Sequence, residues 1–197
     1  MNKNYIIFQV LITIIFYSIQ IFASDDVDEQ LLFMLPDNWN ESYTDRTENL
    51  STSEYVPTGQ SMDDWQEMIS VQVLLESPDT DPDKMLSRVA THLKNECVDF
   101  IIKPITLTGL NDKYPTLAMM TICGKKTEKD FGEIGLVRGI SGKTNFYLLQ
   151  KIWKTKLFKS SGELPINLEQ RKFWLGYIAY LGVCSPQRNN CPENAGR

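Results

Sequence analysis

The segment from Trp65 to Leu75 alternates apolar and polar residues. Ser70 and Gln72 are polar, and the positions around them are apolar: Ile69, Val71, Val73 and Leu75. Because successive side chains of a strand point to opposite faces, this period of two predicts a β-strand with one buried side.

The pattern then changes to the period of a helix. Asp81 can cap the first turn, Pro82 fits the first helical position, and Asp83 is favourable near a helix N-terminus. Apolar residues follow at spacings of three and four: Met85, Leu86, Val89, Ala90, Leu93 and Cys97. A strand and a helix that each have one apolar side are expected to pack together, so this helix should cover the side of the strand that carries Ile69 and Val71.

The rest of the chain reads mainly as strands. The segments with strand composition are 31–35, 39–46, 50–56, 100–107, 115–123, 132–140 and 144–154. A last helix is predicted after the cap Asn167, with an apolar face formed by Trp174, Leu175, Ile178 and Leu181. This order cannot form alternating βαβ units, so we expect an α+β fold in which an antiparallel sheet of six to seven strands packs against the central and C-terminal helices.

The N-terminus has the layout of a secretory signal. Lys3 precedes an apolar run, and the segment before Asp25 ends in Ala23, so residues 1–23 are expected to be a signal peptide that is cut near Ala23. An uncleaved inner-membrane anchor through residues 6–22 is the alternative. Residues 24–30 then form an acidic linker, and residues 31–197 form a single α+β domain in the periplasm or outside the cell.

The four cysteines agree with export. Their number is even and all lie beyond the signal, which predicts two disulfides with three possible pairings. The turn between Cys184 and Cys191 contains proline and favours a local bridge, which leaves Cys97 to pair with Cys123. A zinc site is the alternative for four cysteines, but the paired C-x2-C spacing of such sites is missing.

Charge is segregated along the chain. Residues 24–83 contain 16 acidic residues against Arg46 alone, whereas residues 84–197 contain 18 basic and 9 acidic residues. Either the two halves pair internally, or the basic half meets an anionic partner.

No catalytic constellation stands out. The Gly139 to Thr144 segment ends in Gly-Lys-Thr like a phosphate-binding loop, but Val137 replaces the first glycine and the segment joins two predicted strands, so a hairpin turn is expected. His92 is the only histidine and lies one turn from Arg88 and from Glu96, which is typical of an exposed helix flank. The sequence therefore predicts no catalytic residue, no metal site and no cofactor.

The most suggestive binding surface is basic and aromatic. Its members alternate near the end of the last long strand: Lys151, Trp153, Lys154, Lys156, Phe158 and Lys159. Cations beside aromatic rings suit anionic lipid head groups, nucleic acid or an acidic protein, and export makes nucleic acid the least expected. The same aromatic residues are equally typical of strand packing.

Two strings of residues resemble a known group. They are Leu35-Pro36-x-x-Trp39 and Tyr55-Val56-Pro57-x-Gly59-Gln60-Ser61-x-x-x-Trp65-x-x-Met68, followed by a close C-terminal cysteine pair. Together they resemble small exported bacterial proteins of vir-type secretion or conjugation islands, the LvrE-like proteins of the Legionella vir region. The element order is also similar to the Mog1/PsbP-like fold, whose members dock to larger assemblies.

This resemblance implies structural residues rather than catalytic ones. Those residues are Trp39, Tyr55, Pro57, Gly59, Trp65 and Met68. We expect a non-enzymatic periplasmic protein that binds an envelope or type IV secretion protein, with an anionic membrane surface as another possible partner. The alternative is a periplasmic hydrolase or small-ligand-binding protein whose polar site forms only in three dimensions.

Overall fold

A computed structural model describes residues 29–107, 114–185 and 191. The strands are β1 (Gln30–Leu32), β2 (Trp39–Arg46), β3 (Leu50–Pro57), β4 (Glu67–Leu74), β5 (Cys97–Ile105), β6 (Thr116–Lys126), β7 (Gly132–Ser141), β8 (Phe146–Thr155) and β9 (Gly182–Cys184), and the helices are α1 (Pro82–Asn95) and α2 (Leu168–Tyr180). Seven strands form an antiparallel sheet in the order β2-β3-β4-β8-β7-β6-β5. The α+β prediction is confirmed, while the predicted signal peptide lies outside the described residues.

Local signals position the ends of these elements as predicted. The Asp81 carboxylate accepts a hydrogen bond from the Asp83 amide at 2.9 Å, and the Asn167 side chain accepts one from the Glu169 amide at 2.7 Å. Both helices therefore begin at the predicted caps, where side chains satisfy amides that have no partner within the helix.

The prediction that α1 covers the Ile69 side of β4 is wrong. Ile69 and Val71 pack in a cluster with Trp174 and Ile178 of α2, whereas α1 packs on the opposite face of the sheet. The α1 cluster contains Leu86, Ala90, Met119, Val137, Phe146 and Leu148. The central strands β7 and β8 are apolar on both faces, so both faces need a covering helix, and alternation in β4 alone cannot say which helix covers which face.

Arg138 is a buried cation that holds the end of α2 against β7. Its Nη1 donates to the carbonyl oxygens of Ile178 at 2.5 Å and Leu181 at 2.7 Å, and its Nε donates to Thr116 Oγ1 at 3.1 Å. The last turn of a helix leaves carbonyl groups without amide partners, and this guanidinium supplies the missing donors. Burial lowers the pKa of Arg138 to about 10, which leaves it charged at neutral pH.

A second, small sheet joins the two ends of the described chain. Strand β1 pairs with β9 over three residues each, which places Leu31 opposite Val183. The sequence predicted a longer strand over 31–35 and did not predict β9, because three residues are too few to show a period.

Both disulfides pair as predicted. Cys97 is bonded to Cys123 and Cys184 to Cys191, so all four cysteines are in disulfides and the zinc alternative is wrong. Two such bonds are typical of proteins that fold in an oxidising, exported environment.

The two disulfides should stabilise the protein unequally. Cys97 and Cys123 are separated by 26 positions, so replacing both by alanine should lower the free energy of unfolding by about 3 to 4 kcal/mol, because the unfolded chain regains the freedom of a long loop. The same change at Cys184 and Cys191, 7 positions apart, should lower it by about 2 kcal/mol. Denaturant unfolding of the two double variants measures both losses, and the reverse order would contradict this assignment.

Candidate functional site

The residues of the predicted basic surface do not lie together. Lys151 and Lys154 are three positions apart on β8, so they point to opposite faces of the sheet. Lys151 is 0% exposed and Trp153 is also buried, which makes them part of the core under α2 rather than part of a surface. The prediction that Lys151 and Lys154 share one surface is therefore corrected, because residues three positions apart on a strand lie on opposite faces of the sheet.

Lys151 is enclosed by three tryptophan rings. Its Nζ lies 4.9 Å from the ring centroid of Trp39, 4.5 Å from that of Trp153 and 4.7 Å from that of Trp174. The same Nζ donates to Glu67 Oε2 at 2.7 Å. An ammonium over aromatic faces is attracted by their electron density, and the attraction is stronger away from water. We call this group the lysine cage.

The lysine cage connects four separate elements. Trp39 begins β2, Glu67 begins β4, Lys151 and Trp153 belong to β8, and Trp174 belongs to α2. Burial lowers the pKa of Lys151 to about 8, although the Glu67 carboxylate acts in the opposite direction. Since the amine is shut off from solvent, the cage joins strands and helix and does not present a nucleophile to a substrate.

The other lysines of the predicted surface have different surroundings. The Lys154 Nζ lies 4.6 Å from the Phe131 ring centroid and 5.4 Å from that of Trp65, on the α1 side of the sheet. Lys156 and Lys159 are exposed, and Phe158 between them lies against the β6–β7 hairpin, where its amide donates to the Gly124 carbonyl at 3.2 Å. A binding role for these exposed lysines stays a prediction.

The outer face of α2 carries a stripe of aromatic residues, of which Phe173 and Tyr180 are exposed and Tyr177 is half-buried. Phe173, Tyr177 and Tyr180 recur at spacings of four and three, and Phe173 and Tyr180 are 58% and 72% exposed. The Phe173 and Tyr177 rings stack with centroids 6.4 Å apart, and the Tyr177 hydroxyl donates to the carbonyl of Met34, which is 83% exposed. We call Met34, Phe173, Tyr177 and Tyr180 the α2 stripe.

Sequence reasoning found the inner face of α2 but missed this outer one. Trp174 and Ile178 are buried as predicted. With Phe173, Tyr177 and Tyr180 on the other side, α2 is apolar on both sides, and that unusual composition is the signal that would have predicted an exposed apolar surface.

The six residues of the family-like motif are divided between the two faces of the sheet. Trp39 is in the lysine cage, and the Tyr55 ring lies 5.3 Å from Phe33 on the α2 side. Met68 is buried in β4 with its side chain on the other face, and Trp65 contacts Lys154 there. Pro57 ends β3 opposite Trp39, and Gly59 has φ of 91°, a left-handed conformation that favours glycine in the β3–β4 turn.

The turn that resembles a phosphate-binding loop is a hairpin turn between β7 and β8. The Gly142 amide donates to the Asn145 carbonyl at 2.8 Å, which closes the turn. The amides of Lys143 and Thr144 donate to the Glu29 carboxylate at 2.7 and 2.9 Å. The anion held at this turn is thus a carboxylate from the start of the described chain.

The exposed position predicted for His92 can be assessed directly. His92 lies on an exposed flank of α1, where its Nε2 is 3.1 Å from Glu96 Oε1, as the spacing predicted. Within residues 29–107, 114–185 and 191, no group of three histidine, cysteine, aspartate or glutamate side chains could hold a metal ion. Over the same residues, neither helix is long and apolar enough to cross a membrane.

The pairing of Lys151 with Glu67 should dominate the stability of the lysine cage. Glu67→Gln should lower the free energy of unfolding by about 3 kcal/mol, because it leaves a buried ammonium without its counter-ion. In a Lys151→Met background the same substitution should cost less than about 1 kcal/mol, since methionine needs no counter-ion. A double-mutant cycle by denaturant unfolding measures this coupling. Equal costs in the two backgrounds would rule out the pairing.

Lys151 should also make stability depend on pH. The pKa of Lys151 is about 8 in the folded protein and about 10.5 in the unfolded chain, so between these values the unfolded chain binds the proton more tightly. The free energy of unfolding should then rise with pH above about 8, by up to about 1.4 kcal/mol per pH unit.

The Lys151→Met variant is the control for this pH dependence. Its stability should not rise over the same window, and the difference between the two pH profiles isolates Lys151. Burial raises the pKa of Tyr147 from its usual 10 to about 12, so this phenol lowers the stability of both proteins above about pH 10, and the difference between their profiles cancels its contribution. Parallel profiles for the two proteins would contradict the assignment.

Comparison with protein families and with curated proteins gave no significant match. The function proposed for the chain is therefore supported by its own residues and their geometry.

Proposed function

We propose that this chain is a non-enzymatic exported protein that binds a protein partner through the α2 stripe, as an accessory of an envelope or type IV secretion assembly. The observation that carries the proposal is the exposure of Met34, Phe173 and Tyr180 around Tyr177, which stacks on Phe173 and bonds to the Met34 carbonyl. Large exposed apolar patches on soluble domains mark interaction sites, because burying them is the main driving force for association.

The composition of the α2 stripe fits a protein partner. Aromatic residues and methionine are enriched at protein interfaces, where they contribute much of the binding energy. Tyr180 also carries a hydroxyl group, so the surface offers hydrogen bonding as well as apolar area.

The α2 stripe is held rigidly from below. Trp174 and Ile178 anchor the inner face of α2 in the core, and Arg138 fixes its C-terminal carbonyls. The Phe33 ring packs 6.5 Å from Tyr177, which ties the chain before β2 to the same surface. A surface that is already ordered loses little entropy when a partner binds.

The cellular setting rests on other observations. The two disulfides favour an exported protein, and the sequence of residues 1–23 favours a signal peptide that delivers it to the periplasm. Resemblance to LvrE-like proteins and to the Mog1/PsbP-like element order supports a docking role in an envelope assembly.

The proposal is tested by crosslinking at single positions in intact cells. A photo-crosslinking residue at position 173 or 180 should capture one defined partner. The same residue at position 98 is the matched control, because Val98 is an apolar residue of similar exposure, 69%, on β5 at the far edge of the sheet. With the captured partner purified, Phe173→Ser combined with Tyr180→Ser should weaken binding at least about ten-fold, as expected for the loss of two interface aromatics.

A control variant and the pattern of adducts define the result that would refute the proposal. Val98→Ser should leave the affinity for the captured partner unchanged, and thermal unfolding should show that all variants remain folded. Identical adducts from positions 98, 173 and 180, or unchanged affinity in the double variant, would refute binding through the α2 stripe.

A further inference from the structure

The two edges of the seven-stranded sheet differ in their ability to accept another strand. At one edge, β5 contains Lys103 and Pro104, and its register with β6 shifts at Asp99, all of which hinder pairing with a further strand. At the other edge, β2 contains no proline, and no described strand pairs with its outer side. Its register with β3 shifts once, between Glu41 and Tyr43, and is regular from Tyr43 to Arg46. Seven of its eight residues are exposed.

The register of the β2–β3 hairpin shows which backbone groups face outward. The Thr47 amide donates to the Leu50 carbonyl at 2.8 Å, so that pair is hydrogen-bonded. Bonded and non-bonded pairs alternate along an antiparallel ladder, and Arg46 pairs with Ser51 and Thr44 with Ser53. The amide and carbonyl groups of Thr44 and Arg46 therefore point away from β3, toward the open side.

The charges along this edge indicate what would bind there. Residues 37–48 include four acidic residues, Asp37, Glu41, Asp45 and Glu48, against Arg46 alone. Within the part of the chain that the structure describes, none of these carboxylates forms an ion pair. A second copy of β2 would bring like charges together, whereas a basic strand would neutralise them.

We propose that the outer edge of β2 binds an extended segment rich in lysine or arginine from a partner protein, as an eighth strand of the sheet. The outward amides and carbonyls of Thr44 and Arg46 supply the backbone hydrogen bonds, and the surrounding carboxylates select a basic segment. This site is separate from the α2 stripe, so an experiment that refutes binding at one surface leaves the proposal for the other surface unaffected.

The binding test uses a synthetic peptide of alternating lysine and valine, about ten residues long, which is enough to span an ordinary strand. One control peptide has glutamate in place of lysine, and a second keeps lysine but carries N-methyl groups on alternate backbone amides. Fluorescence anisotropy should show that the full chain binds the lysine peptide at least about ten-fold more tightly than either control. Equal affinity for the N-methylated peptide would mean charge attraction without strand pairing, and would overturn the proposal.

Variants of β2 test the site from the side of the protein. Thr44→Pro removes an outward amide, and it also removes the hydrogen bonds of the Thr44 hydroxyl to Thr52 and Ser53 of β3. Thr44→Val loses the same hydroxyl but keeps the amide, so Thr44→Pro should weaken binding of the lysine peptide at least about ten-fold, whereas Thr44→Val should not. Glu41→Lys combined with Asp45→Lys should reverse the preference toward the glutamate peptide. Phe173→Ser with Tyr180→Ser should bind the lysine peptide normally, which separates this site from the α2 stripe.

Each outcome of the variant series decides the proposal. If Thr44→Pro does not fold, as judged by thermal unfolding, the charge-reversal variant and the N-methylated peptide still test the site. Unchanged affinity for the lysine peptide after charge reversal would place the peptide elsewhere and refute binding at β2.

Discussion

The ammonium group of Lys151 is the interaction on which the arrangement of this protein depends. A single buried cation contacts Trp39 at the start of β2, Glu67 on β4 and Trp174 on α2. Hydrophobic contact alone would bring these elements together without fixing their relative positions, because it has no direction. A charge that needs a carboxylate and aromatic faces at defined distances adds that direction, and it does so where the edge strand, the centre of the sheet and the C-terminal helix meet.

The second constraint is a sheet that is buried on both faces. Strands β7 and β8 lie in the middle of the sheet and consist largely of buried residues, so each face needs its own cover. One helix supplies each cover, and among the described residues Arg138 and Lys151 are the cations that lie buried on the α2 side. Both contact groups of α2, namely helix carbonyls for Arg138 and the Trp174 ring for Lys151.

Sequence reasoning succeeded for features that depend on residues close together in the chain, and it failed for features that depend on distant residues. Caps, hairpin turns and strand periods depend on neighbours within a few residues, and the structure agrees at Asp81, Asn167 and the turn between β7 and β8. The disulfide pairing also followed from local spacing, because one pair closes a short turn. The face that α1 covers depends on residues of β6, β7 and β8, which come later in the chain than α1, and no pattern within β4 contains that information.

The functional residues were harder to predict for the same reason. Lys151 looked like a surface lysine because charged residues are seldom fully buried, and only the meeting of three distant tryptophans makes its burial tolerable. Phe173 and Tyr180 looked like ordinary members of an apolar helix, because a sequence does not say which of two apolar sides the core will take. In both cases the sequence shows the residue types, but it does not show which residues of distant elements will pack against them.

The two proposed surfaces adjoin at one corner of the molecule. Trp39 begins β2, and its ring lies 5.4 Å from that of Trp174, which in turn contacts Phe173 and Tyr177 of α2. The open edge of β2 and the α2 stripe are therefore linked through a rigid aromatic contact rather than through a loop. A partner that offers a basic strand beside an apolar surface would engage both, and the second contact would then form at a high effective concentration without a new loss of orientation.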